Sequence, residues 1–347
     1  MKKLVMVGMT AVALTGCSGQ EEEQVLNLYN WSEYMPQEVL DRFEEETGIQ
    51  VVYTTYDSNE AMYARLKLLD DSSQYDLAVP STYYVNKMRK EDLLMEIDHS
   101  QIEGFEKLDP ELVDRSFDEN NTYSVPYLWG TTGLAIDSDT VDASEVSGWA
   151  DLWDEQYQGQ VMLTNDMREV FHVGLSVLGY SGNTQDPQKI EEAYEKLSEL
   201  MPAVRTFNSD APRMPYLEGE TDIGMIWNGE AVMGKDDMPT LEYIYPEEGV
   251  IVWLDSFVIP KNAANPEAAH KFISFVLQPE ISALISEDIG YATPNLAARE
   301  LLPEEVANNR ASYPNSDDME NAEFQEDVGD DAMQVYNRYW EQLKTGG

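Results

Sequence analysis

Between residues 25 and 80 the hydrophobic period of the sequence switches back and forth, and this alternation constrains the fold more than any other feature. Val25–Trp31 is apolar and β-prone. Pro36–Thr47 then carries Val39, Leu40 and Phe43 at helical spacing, with Pro36 suited to a first turn and Gly48 to a C-terminal stop. Gln50–Tyr56 predicts a second strand, and Asn59–Leu69 a second helix with Met62, Leu66 and Leu69 on one side. Tyr75–Pro80 predicts a third strand. A βαβαβ order predicts an α/β architecture with a parallel sheet and helices on its faces. A second region of the same kind follows Trp129-Gly130. It has strands expected at Gln160–Thr164, Ile223–Trp227 and Val250–Leu254, and helices at Pro187–Leu200, Pro266–Leu277 and Ala332–Leu343. At 347 residues the chain is long for one hydrophobic core, so two α/β lobes are expected.

In open α/β sheets, ligands bind beyond the carboxyl ends of the strands. Here those ends carry acids and aromatics. Trp31-Ser32-Glu33-Tyr34 follows the first strand and Ser81-Thr82-Tyr83 the third. Asp166 and Glu169 follow the strand near 160, Trp227 ends another, and Trp253 and Asp255 end a fourth. Such an arrangement predicts one shared cleft. It suits a polyamine, a methylene chain bearing several ammonium groups. Carboxylates take the ammonium groups by charge-assisted hydrogen bonds, and rigid aromatic walls take the methylenes.

The chain holds 66 acidic against 22 basic residues, a formal net charge of −44. Nucleic acid is excluded as a partner, because phosphate binding needs basic patches. The acids are spread along the chain, so most of this charge reads as a solvated surface. Lys2 and Lys3 precede an apolar run from Leu4 to Leu14, a short export signal rather than a membrane span. Leu14-Thr15-Gly16-Cys17 resembles a bacterial lipobox, which implies removal of residues 1–16, lipid on Cys17 and a tether over 17–24. Cys17 is the only cysteine, so a disulfide framework and a cysteine-based zinc site are both ruled out. His99, His172 and His270 are too far apart for metal-ligand spacing. No nucleotide-binding or zinc-protease motif occurs. The sequence thus predicts no cofactor, no metal and no enzymatic activity, in an exported monomer that binds cations.

Longer blocks carry a family likeness. Leu28-Tyr29-Asn30-Trp31-Ser32-Glu33-Tyr34, Tyr75-Asp76-Leu77-Ala78-Val79-Pro80-Ser81-Thr82-Tyr83, Val125-Pro126-Tyr127-Leu128-Trp129-Gly130, Leu178-Gly179-Tyr180-Ser181-Gly182-Asn183, Met225-Ile226-Trp227-Asn228-Gly229 and Ile289-Gly290-Tyr291 run in order over nearly the whole chain. They resemble the spermidine/putrescine-binding proteins, the periplasmic substrate-binding components of bacterial polyamine ABC importers. That resemblance implies a two-lobed periplasmic-binding-protein fold of the type II-like kind, closing on its ligand by a hinge. Lobe one is expected over 24–129 plus 255–301, and lobe two over 130–254 plus 302–347. The family's pocket carboxylates fall on Glu33, Asp166, Glu169 and Asp255. Its aromatic walls fall on Trp31, Tyr34, Tyr83, Trp227, Trp253 and Tyr291, and its polar contacts on Ser32, Ser81, Ser209 and Gln325. Glu230 departs from the spermidine-type pattern, which has a small hydroxyl residue there. As a further carboxylate it either captures an amine end, shortens the pocket or faces solvent.

The implied partners are spermidine or putrescine and a membrane permease driven by a separate ATPase. The implied location is the periplasm or the outer face of the membrane. Two alternatives stay open: another small cationic solute in the same fold, and a polyamine-sensing receptor in place of a transport component.

Overall fold

The computed structural model describes residues 24–68 and 74–346. The export signal, the lipobox with Cys17 and the first seven tether residues lie outside the described residues.

Ten strands form one continuous, mixed sheet. In chain order they are β1 (Val25–Trp31), β2 (Gln50–Tyr56), β3 (Leu77–Ala78), β4 (Ser124–Asp137), β5 (Val161–Leu163), β6 (Val204–Phe207), β7 (Ile223–Trp227), β8 (Leu241–Ile244), β9 (Ile251–Val258) and β10 (Glu323–Phe324). The backbone path is β2-β1-β3-β9-β4-β7-β5-β6, with β8 beside β4 and β10 beside β9. The expected parallel pairing holds within each half, for β1 with β2 and β3, and for β5 with β6 and β7. The centre differs. β4 and β9 are antiparallel to each other, β9 is antiparallel to β3, and β4 to β7. The two central strands therefore belong to both halves. β4 pairs with β9 from Ser124 to Thr132 and with β7 from Thr132 to Ile136.

Two hydrophobic clusters flank this centre. One gathers Leu26, Leu28, Val39, Phe43, Phe257, Phe272, Ile273 and Tyr291. The other gathers Leu134, Trp149, Phe171, Ile190, Leu197, Met225, Tyr336 and Leu343. Two helices show how an apolar stripe sets the element. Gln37–Thr47 buries Val39, Leu40 and Phe43, and ends at Gly48 in a left-handed conformation whose N–H reaches the Glu44 carbonyl. Pro187–Leu200 starts at Pro187 after the Asp186 cap and buries Ile190, Ala193, Leu197 and Leu200. No helix among the described residues is long and apolar enough to cross a membrane.

Candidate functional site

The strands of both halves end at one cleft. Thirteen of the fourteen residues expected to bind ligand line it, as does Glu230. Trp31 ends β1, and Ser32, Glu33 and Tyr34 form the turn beyond it. Ser81 follows β3, Asp166 follows β5, Ser209 follows β6, Trp227 ends β7, and Gln325 follows β10. Trp253 and Asp255 come from β9, and Tyr291 follows the helix Pro279–Ile289. Tyr83 is the exception. It is buried behind the wall, where its hydroxyl accepts from Asn59 Nδ2 at 3.4 Å.

The aromatic rings lining the cleft pack in two groups. Trp31 and Trp227 meet edge-on, ring centres 6.0 Å apart, from the ends of β1 and β7. Tyr291 packs against both Tyr34 (5.2 Å) and Trp253 (5.3 Å). Each indole N–H is already satisfied: Trp31 donates to the Val79 carbonyl, Trp227 to Glu169 and Trp253 to Thr132 Oγ1. The rings are thus held in place by their polar tips. Two glycines permit this packing. A Cβ on Gly229 would come within 2.5 Å of the Tyr291 ring, and one on Gly130 within 2.6 Å of the Trp253 ring.

Three carboxylates sit deep between these rings. Asp255 accepts from Ser81 Oγ (2.7 Å) and Tyr34 Oη (2.9 Å). Burial pushes its carboxyl up to about 7, although both hydrogen bonds pull the other way. Glu169 accepts from Thr132 Oγ1 (2.5 Å), Thr164 Oγ1 (3.0 Å) and Trp227 Nε1 (3.0 Å). Burial, then the Asp166 charge, pushes it up to about 8. Asp166 caps the helix Met167–Val177 by accepting from the Glu169 N–H at 3.0 Å, and burial raises its carboxyl too. None of the three forms an ion pair among the described residues. Arg168, two residues after Asp166, is buried; its charge draws the Asp166 carboxyl down against burial, but its hydrogen bonds go elsewhere. It donates to the carbonyls of Glu326 and Gly182 and stacks on Tyr83 and Tyr336.

Four further residues of the site carry no sequence signal. Asn59 orients Ser81 by accepting from its N–H (3.1 Å) and donating to its Oγ (3.0 Å). Asp210 lines the cavity beside Ser209. Glu60, its carboxyl pushed up to about 7 by burial and then by the Asp166 charge, stands near enough to Asp166 for the two to interact. Arg213 binds both Glu33 and Glu230, each at 2.7 Å. Glu230 does not face solvent. It is buried, and Arg213 already occupies it. Among the described residues no group of His, Cys, Asp or Glu has the arrangement to hold a metal ion.

Residues 38–315 match the family model of bacterial extracellular solute-binding proteins. This chain belongs to that family. As a solute-binding protein it has a relative of nearly the same length, the spermidine/putrescine-binding periplasmic protein of Salmonella typhimurium. The two are 49% identical over 345 residues, covering 99% of this chain and 98% of that protein. A solved chain from Listeria monocytogenes superposes with a TM-score of 0.90 at 37% identity, over 93% of this solute-binding protein and 100% of its own length. A lipoprotein of Treponema pallidum superposes at 0.81 and 30% identity, over 92% and 99%. The two-lobed periplasmic-binding-protein fold expected from sequence is therefore the fold of this chain, with the family's extracytoplasmic setting.

Proposed function

We propose that this protein binds a polyamine, spermidine or putrescine, in the cleft between its lobes. It then delivers the amine to the membrane permease of an ABC importer with a separate ATPase. One observation carries this reading: Asp166, Glu169 and Asp255 are buried, hydrogen-bonded only by neutral groups, and walled by aromatic rings. A buried carboxylate without a cation is costly. An ammonium group placed between these acids removes that cost, and the methylenes between ammonium groups cover the Trp and Tyr faces. Asp255 and Ser81 belong to one lobe, Asp166 and Glu169 to the other. The ligand thus contacts both and favours the closed form by that difference. The Salmonella relative, named for the same two amines, supports the choice of ligand.

The lobes are divided at Trp129/Gly130 and Leu254/Asp255. Trp129 pairs with Leu254 and Gly130 with Trp253, so both crossings lie side by side in one antiparallel ladder, the place for a hinge. A lipid on Cys17 anchors the chain at the membrane surface, a reading supported by the Treponema lipoprotein. The test is binding of each amine to wild type, Asp255→Asn and Glu169→Gln. The expected result is saturable binding by wild type and a loss of affinity in both variants. Unchanged affinity in both would refute the assignment of the site.

A further inference from the structure

The mouth of the cleft already contains a cation. Arg213 donates through Nη1 to Glu230 and through Nη2 to Glu33, both at 2.7 Å. The arrangement is built rather than incidental. The Arg213 side chain is 16% exposed and that of Glu230 only 6%. The aliphatic stem of Arg213 lies against Gly234 of the helix Asn228–Asp237, where a Cβ would stand 3.3 Å from Arg213 Cβ. Glycine inside a helix is unfavourable, and here it makes room first for Leu241, whose Cδ2 would stand 2.6 Å from a Cβ on Gly234, and then for the arginine stem. Glu33 reaches the guanidinium from the other lobe, from a backbone at φ 49°, a conformation non-glycine residues rarely adopt. The planar guanidinium suits two carboxylates at once, as an ammonium does not.

The acids of the cleft therefore fall into two sets. Among the described residues Asp166, Glu169 and Asp255 form no ion pair, although the Arg168 charge acts on Asp166, while Glu33 and Glu230 share a cation that the chain supplies. An amine chain that fills the deep set meets Arg213 at its outer end. A further ammonium there finds Glu33 and Glu230 already paired and meets the guanidinium charge as well, with Asp210 the one other acid of the cavity lining.

We propose that Arg213 determines chain-length specificity: as a tethered cation it occupies Glu33 and Glu230, and so favours a diamine over a triamine. This rests on the polyamine reading of the cleft and names which member of the class the site prefers. Putrescine leaves the Arg213 pairs intact. Spermidine, to place its third ammonium, must displace Arg213 from Glu33.

The test compares putrescine and spermidine affinities of the whole chain, purified in detergent and freed of ligand, for wild type, Arg213→Ala and Arg213→Lys. Freeing Glu33 and Glu230 adds charge-assisted partners for the third ammonium alone. The ratio of spermidine to putrescine affinity is expected to rise about tenfold or more in Arg213→Ala. Arg213→Lys, which keeps the charge, is expected to restore most of the wild-type ratio. A structural role alone would weaken both amines together and leave the ratio unmoved. Should Arg213→Ala not fold with Glu230 buried and unpaired, Arg213→Ala/Glu230→Gln removes both buried charges, still frees Glu33, and is expected to shift the ratio the same way. A ratio within about twofold of wild type in a folded variant lacking Arg213 would overturn the inference while leaving the polyamine reading intact. Binding of neither amine by folded wild type would overturn both.

Discussion

At the deep end of the cleft Asp166, Glu169 and Asp255 hydrogen-bond only neutral donors, whereas at the mouth Glu33 and Glu230 share the guanidinium of Arg213. Each end holds a buried acid, Glu230 at the mouth beside the exposed Glu33, yet the ends differ in what completes them. The mouth is electrically finished by the chain itself. The deep end is stable only because burial lets its carboxyls keep protons, Asp255 up to about 7 and Glu169 up to about 8. An acid left without its cation in the folded state marks where a cationic ligand belongs. An acid already paired shows where the ligand is refused or must compete.

Substitutions at the two ends separate these roles most sharply. Asp255→Asn and Glu169→Gln are each expected to weaken polyamine binding by about 10- to 100-fold, measured by calorimetric titration, because each removes a charge-assisted partner. The same changes are expected to leave the unliganded fold as stable as wild type or more so at pH 8, since they remove an uncompensated buried charge. Glu230→Gln should do the reverse to stability. It leaves Arg213 half paired and is expected to destabilise the fold by about 2 kcal/mol in denaturant melts. If Glu230→Gln is stability-neutral while Asp255→Asn destabilises, the comparison is inverted.

The pH response should follow the deep end. A carboxyl with a raised pKa holds its proton below that value, and the ligand needs the charged form. Affinity is therefore expected to rise by about tenfold or more from pH 6 to 8. Stability of the unliganded protein should move oppositely. Between the unfolded carboxyl pKa values and the raised folded ones, the folded state binds more protons, so stability falls as pH rises from about 5 to 8. The general acidity of the chain adds repulsion in the same direction, so the readout is the difference between wild type and Asp255→Asn. The variant's melting temperature should fall less steeply over that range. Parallel curves would remove Asp255 as the titrating group.

The smallest effect belongs to a pair outside the cleft. Lys90 meets Asp327 at 2.7 Å, with the lysine side chain 57% exposed. Lys90→Met is expected to change stability by less than about 1 kcal/mol and to leave amine affinity unaltered. A large effect there would show that surface pairs between these segments, and not the cleft, govern the lobes.

Much of this was legible in sequence wherever the signal is local. The stripes of Gln37–Thr47 and Pro187–Leu200 and the apolar run Ile223–Trp227 are visible without a structure, because burial on one face imposes a period. β4 is not visible. Pro126, Gly130 and Gly133 read as breakers, and only pairing with β9 and β7, more than 80 residues away, makes a 14-residue strand of it. That same strand runs antiparallel to both β9 and β7, which is why the expected parallel sheet proves to be mixed. Within the site, Trp253 and Asp255, expected at a strand end, lie inside β9, which runs on to Val258, whereas Trp31, Asp166 and Trp227 could be placed because they lie at or beside such ends. Tyr83 shares such a position but turns inward onto Asn59 and Arg168. Arg213 lies in a loop with no periodic neighbour to aim it, and its partners are 17 and 180 residues away in sequence. Glu230 stood out only as a departure from the family pattern. What answers it became visible once the fold brought Arg213 beside it.

The most direct test is titration calorimetry of ligand-free protein with spermidine and with putrescine at pH 7, repeated in buffers of different ionisation enthalpy. If buried, uncompensated carboxylates are waiting for a cation, binding is saturable and one-to-one, and it releases protons to the buffer as Asp255 and Glu169 ionise. Folded protein that takes up neither amine, or binds one with no proton released and no loss on Asp255→Asn, would contradict that claim.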